Sequence, residues 1–194
     1  MKRWLFALTV LTVAIVLAAC NGNANDSEQH NDNGDQTSQQ EDGTQASVTV
    51  DLKNGDEQSV GTAELEQVSN GVNITLEGTD IPKGTHGFHI HENGTCESPD
   101  FESAGGHFNP DDTDHGFDTS DGPHAGDLPN ITVSEDGTVT MSYLAKDVTL
   151  ETGSNNSLLD DGGTALMIHE GKDDGESQPS GDAGNRFACG TISE

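Results

Sequence analysis

From Ser47 onward apolar and polar residues alternate with a period of two, in short runs cut by Gly, Asn and Asp, and helical periodicity is nearly absent. Successive side chains of a strand point to opposite faces, so this pattern selects half-buried antiparallel strands. Val48–Leu52, Val60–Val68 and Val72–Leu76 are the first three runs, with Asn70-Gly71 as a hairpin signal between the last two. Ile131–Val133 and Val139–Leu144 flank Asp136-Gly137 in the same way, and Gly87–His91, Ala165–Ile168 and Arg186–Ile192 complete the set. A total of about eight antiparallel strands predicts an all-β sandwich or flattened barrel. Two connections, Glu92–Asn130 and Glu170–Asn185, are rich in Gly, Asp and Pro and too long for plain turns. Long loops in a compact domain usually carry function.

The histidines fall on this frame in a telling way. Seven of the eight lie between residues 86 and 169. His89 and His91 are two apart on a predicted strand, so their rings share one face and can ligate one ion. His169 ends another strand. His107, His115, His124 and Asp127 lie in the first long loop, where irregular backbone can wrap three nitrogens and a carboxylate around a small ion. That donor set suits zinc, whereas imidazoles alone on the strands suit copper. Two unlike metal sites are expected. A calcium loop over Asp111–Asp127 is disfavoured, because the acids miss the required spacing and histidine is a poor calcium ligand.

The first residues read as an address. Met1-Lys2-Arg3 is followed by an uncharged apolar run from Trp4 to Ala19, shorter than the roughly 20 residues that span a bilayer. Leu17-Ala18-Ala19-Cys20 resembles the lipobox of bacterial lipoproteins, which implies cleavage of residues 1–19 and a lipid on Cys20 that anchors the chain to a membrane. Residues 20–46, with His30, are Asn, Asp, Gln, Ser, Gly and Glu with almost nothing to bury, and read as a disordered tether to the folded domain at 47–194.

Composition limits the remaining choices. Seven Lys and Arg stand against 35 Asp and Glu, a formal charge of −28, which excludes a nucleic-acid binder working through a basic face. Hydrophobic residues are 30% of a chain of 194, so the folded part is one domain with a thin apolar supply. Metal or disulfide cross-links would then matter to its stability.

Four motifs carry a resemblance. His86-Gly87-Phe88-His89-Ile90-His91-Glu92, Gly106-His107-Phe108-Asn109-Pro110, His124-Ala125-Gly126-Asp127 and Arg186-Phe187-Ala188-Cys189-Gly190 are similar to those of the copper-zinc superoxide dismutases, over roughly residues 46–194. The resemblance implies an eight-stranded Greek-key fold and conversion of superoxide to dioxygen and hydrogen peroxide. It makes His89, His91, His107 and His169 the copper ligands and His107, His115, His124 and Asp127 the zinc ligands, with His107 bridging. It implies that Asp173 hydrogen-bonds a copper histidine and a zinc histidine, that Arg186 docks the superoxide anion, and that His86 is not a ligand. It also implies a disulfide between Cys96 and Cys189, and the count agrees, since the third cysteine, Cys20, is taken by the anchor.

The sequence departs from the family where charge is concerned. Well-known members carry basic residues in the loop corresponding to Glu170–Asn185; here Lys172 is its one base against five acids, and Pro179 stands where the family has a channel lysine. So acidic a surface suits a salty medium, where at 1 M the Debye length is only about 3 Å. The resemblance admits several oligomeric states, a homodimer among them. The rival from another class is a non-catalytic surface protein that binds copper or zinc on the same fold.

Overall fold

The computed structural model describes residues 46–194; the leader, Cys20 and His30 lie outside the described residues. The strands are β1 (Ser47–Asn54), β2 (Ser59–Val68), β3 (Gly71–Gly78), β4 (Gly84–His86), β5 (Phe88–His91), β6 (Ile131–Val133), β7 (Val139–Ala145), β8 (Thr164–His169) and β9 (Arg186–Ile192). Seven form one curled antiparallel sheet in the order β5-β8-β9-β1-β2-β3-β7, while β4 and β6 pair separately. The all-β expectation holds, with short 3-10 turns at Glu102–Ala104 and Asp160–Gly162 as the helical pieces among the described residues.

Alternation does what it promised in β1 and β3, where Val50 and Leu52, then Val72, Ile74 and Leu76, point inward and are buried. In β2 the inward residues are Val60, Ala63 and Leu65, an odd spacing made possible by a bulge, since Leu52 pairs with Gly61 but Lys53 with Ser59. One extra residue in a strand turns the following side chain to the other face.

Three local departures have physical causes. The β2–β3 turn sits on Ser69 and Asn70, with Gly71 already paired to Val68. Gly71 has φ 135°, and a Cβ there would lie 2.2 Å from the Ala145 carbonyl oxygen, so the glycine serves the close approach of β7. The runs around Asp136-Gly137 join different ladders, β6 to β4 and β7 to β3, although Ser134 and Gly137 close the turn between them. The predicted strand through Gly87 begins at Phe88, and a separate strand, β4, precedes it. The Gly87 N–H turns aside to the Gly171 carbonyl at 2.7 Å, and its carbonyl accepts from His169 N at 2.9 Å.

β8 explains why Ala165–Ile168 reads as an unbroken apolar run. Leu166 and Ile168 belong to the main core with Ile74, Phe88 and Ile90. Ala165 and Met167, on the opposite face, pack with Phe101, Ala104 and Cys189 in a second cluster under the first long loop. Cys96 joins that loop to β9 through a disulfide with Cys189, 93 residues later, as the resemblance implied. On the chain-entropy account a loop of that length contributes about 4 to 5 kcal/mol. Replacing both cysteines by serine is expected to lower unfolding free energy by up to that amount, read as a reduced denaturant midpoint.

Candidate metal centre

Strand β5 is buried on both faces: Phe88 and Ile90 enter the core, and His89 and His91 point outward under the long loops. The first loop lies along β5. Ile90 N donates to Gly126 O and Phe108 N to Ile90 O, both at 2.8 Å, and isolated bridges pair His89 with Asp127 and His91 with His107. Gly126 permits this approach, since a Cβ there would come within 2.3 Å of the Ile90 oxygen. His169 arrives from β8, where a second register shift sets it opposite Arg186.

Two groups of potential ligands result. One nitrogen each of His89, His91, His107 and His169 lie within 4.8 Å of one another, and so do ligand atoms of His107, His115, His124 and Asp127. His107 belongs to both. All seven residues are buried.

The hydrogen bonds show how each ring is held. His89 Nε2 meets Asp173 Oδ2 at 2.6 Å, His91 Nδ1 the Gly105 carbonyl at 3.0 Å, His107 Nδ1 Asp127 Oδ1 at 2.9 Å, and His169 Nδ1 the Gly184 carbonyl at 3.2 Å. The remaining nitrogens, His89 Nδ1, His91 Nε2, His107 Nε2 and His169 Nε2, are buried with no partner. A buried polar atom left unsatisfied costs about 1–3 kcal/mol. Four such atoms converging, each on a ring whose other nitrogen faces an acceptor, form a nitrogen site for a transition metal, and the protein acceptors fix the lone pairs toward it.

The second group converges on one carboxylate. His107 Nδ1 and His115 Nδ1 lie 2.9 and 3.1 Å from Asp127, and His124 Nδ1 lies 3.3 Å from Asp127 Oδ1 without hydrogen-bond alignment. Asp127 Oδ2 also accepts from the backbone of Gly116 at 2.9 Å and His124 at 3.1 Å. Three imidazoles and a carboxylate, buried and mutually close, fit a closed tetrahedral zinc site.

Asp173 connects the groups, with Oδ2 on His89 and Oδ1 3.1 Å from His115 Nε2. Its backbone is clamped by Asn130, whose Oδ1 accepts from Asp173 N and whose Nδ2 donates to Asp173 O, both at 2.9 Å. Gln178 similarly grips His115, accepting from its N at 2.8 Å and donating to its O at 2.9 Å. Neither Asn130 nor Gln178 was legible as a site residue, because each acts on backbone and leaves no ligand-type signal. His86 stands outside both groups, with Nδ1 on the His169 carbonyl at 2.9 Å and Nε2 on the Pro82 carbonyl at 2.7 Å. Arg186 donates to the carbonyls of Phe101 and Gly105, the latter shared with His91.

Burial dominates the acid–base behaviour. It pushes His89 down to about 3, His91 to about 2 and His169 to about 4, against the Asp173 bond that raises His89 and the Gly105 and Gly184 carbonyls that raise the other two. His107 is lowered by burial too, while His115, also buried, is raised on balance by Asp127 and Asp173. Despite burial, the facing histidines hold Asp127 and Asp173 well below the usual carboxylate range.

The comparisons with known proteins agree with this geometry. The family model described as copper/zinc superoxide dismutase matches residues 59–192. A Cu-Zn superoxide dismutase of Aquifex aeolicus is 49% identical over 144 residues, covering 74% of this chain and 85% of that protein. The crystal structure of a superoxide dismutase-like protein from Bacillus subtilis superposes with TM-score 0.73 at 43% identity, over 76% of this chain and 99% of that one. The Cu/Zn superoxide dismutase of Brucella abortus gives TM-score 0.61 at 29% identity, over 76% and 99%.

Two outcomes are expected. Asp173→Ala should weaken metal binding about 10- to 100-fold in a competition titration, since it frees two rings at once. For chelated protein, His89, His91 and His169 have folded values below the ordinary 6.5, so the unfolded chain binds more protons as pH falls. The stability linked to them is complete above pH 6.5 and is lost progressively from there toward about pH 2, the lowest of the three folded values. His115 opposes this with the other sign, and the two aspartates add to the loss only below about pH 3.8. The urea midpoint of chelated protein should therefore be lower at pH 5 than at pH 7.5.

Proposed function

The chain belongs to the copper/zinc superoxide dismutase family, and on that footing we propose that it disproportionates superoxide at the outer face of a cell membrane, with zinc in a structural role. The observation that carries the activity is the set of four buried, unpartnered imidazole nitrogens beside an arginine. His89, His91, His107 and His169 would hold copper, and His107, His115, His124 and Asp127 would hold zinc. A bound copper ion supplies reversible one-electron exchange, through which one superoxide leaves as dioxygen and the next, with two protons, as hydrogen peroxide.

The chain's own residues arrange the rest. Arg186 presents a fixed positive fork: two carbonyls take part of its donor set and aim the guanidinium, leaving other N–H groups to bind and orient the anion. His107 has Nδ1 committed on the Asp127 side, so Nε2 is the atom at which a proton can be held or released. His115, His124 and Asp127 form a closed set that keeps the first loop against β5 and so keeps His107 in place. Asp173 couples both sets to the barrel.

Location rests on residues 1–46. The apolar leader and Leu17-Ala18-Ala19-Cys20 support export and a lipid on Cys20, and the Cys96–Cys189 disulfide suits an oxidising compartment. Residues 20–46 would hold the domain clear of the membrane surface. Cys20→Ala should shift the protein from the membrane to the soluble fraction.

The activity is tested by loading the purified protein with copper and zinc, quantifying both, and following superoxide decay. One ion of each per chain and rapid decay are expected, with Arg186→Ala slowing decay roughly tenfold or more at unchanged metal content, as loss of a hydrogen bond to a charged group implies. Full loading with decay no faster than in buffer would overturn the proposal and leave a metal-binding protein on a dismutase fold.

A further inference from the structure

Arg186 lines a surface cleft whose other charged residues are all acidic. Asp100 and Glu102 come from the first long loop and Glu170 from the residue after His169, with Pro99, Gly184 and Asn185 completing the rim. The three carboxylates are exposed. Glu170 is steered by Asn185, whose Nδ2 donates to it at 3.0 Å. Arg186 and His91 Nδ1 meet the same Gly105 carbonyl, and Arg186 pairs across the sheet with His169, the residue before Glu170. Arg186 is thus common to the acidic cleft and to the surroundings of the four-histidine group.

The sign of this field has opposite meanings for the two ions concerned. A superoxide anion approaching Arg186 through this cleft meets three negative charges. A divalent cation bound for the imidazoles is drawn by the same three. We propose that Asp100, Glu102 and Glu170 make the cleft a cation-attracting vestibule that speeds entry of a divalent metal ion to the His89, His91, His107 and His169 group and slows approach of an anion, so that salt moves the two events in opposite directions.

The size of the effect follows from Coulomb's law. In a water-like dielectric one carboxylate within about 5–8 Å changes the local concentration of a monovalent ion roughly two- to fourfold, and of a divalent ion by the square of that factor. Three together compound it. The field extends about 30 Å at 0.01 M ionic strength and about 3 Å at 1 M, so it acts in dilute buffer and is silenced by salt.

The anion arm rests on the dismutase reading, whereas the metal arm needs only the four-histidine site. The test uses zinc-loaded protein mixed with copper(II) in a stopped-flow spectrometer, at about 0.01 M and 1 M sodium nitrate, where the field extends and collapses respectively. Copper entry followed by visible absorption should be at least tenfold faster at low salt. The triple variant Asp100→Asn, Glu102→Gln, Glu170→Gln should lose most of that difference. In the copper-loaded protein, azide as an anion probe should bind two- to fourfold more tightly or better in the variant at low salt, and equally at high salt. A control with Glu64→Gln, Glu66→Gln and Glu77→Gln removes the same charge from exposed positions of β2 and β3 and should leave both readouts unchanged. Copper entry indifferent to salt, or a control that matches the cleft variant, would overturn the proposal. Salt-dependent copper entry without superoxide decay would instead sink the dismutase reading and leave the vestibule standing.

Discussion

One carboxylate, that of Asp173, joins the wall of the barrel to the loop that covers it. By meeting His89 Nε2 at 2.6 Å it holds the proton there and turns Nδ1 inward as a lone pair, and through its other oxygen it holds His115 in the neighbouring group. The carboxylate can do this only because the chain around it yields space. At Gly181, with φ 70°, a Cβ would sit 2.0 Å from Asp173 Oδ1 and 2.6 Å from His115 Nε2. Asn130 then fixes the Asp173 backbone. The two long loops thus share this carboxylate in addition to the backbone grips of Asn130 and Gln178, and one ring in each metal group takes its orientation from it.

How much of this was legible depends on whether side chains or backbone perform the task. The ligand sets could be read from the sequence because imidazole and carboxylate are chemically required and their spacing on a strand and in a loop shows which can converge. The acceptors that orient them could not, since those for His91 and His169 are the carbonyls of Gly105 and Gly184, which any residue could supply. Strands with one wet face, such as β1 and β3, announced themselves by alternation. β4 did not, being three residues long and separated from β5 by a single glycine. The β2–β3 turn shifted by one residue from the Asn-Gly signal because contact with β7 decided where Gly71 was needed. In each case tertiary packing overrode a local preference.

A chain this acidic and this poor in apolar residues must use its hydrophobic side chains twice over. β8 does so by burying Leu166 and Ile168 in the barrel and Ala165 and Met167 under the first loop, where the Cys96–Cys189 bond closes the arrangement. The same loop supplies the Phe101 and Gly105 carbonyls that hold Arg186. Packing, covalent cross-link and guanidinium placement are therefore features of one segment, and change in one is felt by the others.

Strand β5 begins the order of the large sheet, and what lies along its outer side is the first loop, bonded at Ile90 and bridged through His89 and His91. An uncovered edge strand offers its amide and carbonyl groups to any other chain, and proteins remain monomeric partly by hiding such edges. Here the cover is made of the residues that converge on the ligand groups. Ions that held His107 and Asp127 in place would thereby also help keep the β5 edge covered, and their loss would leave that edge freer to pair with another chain.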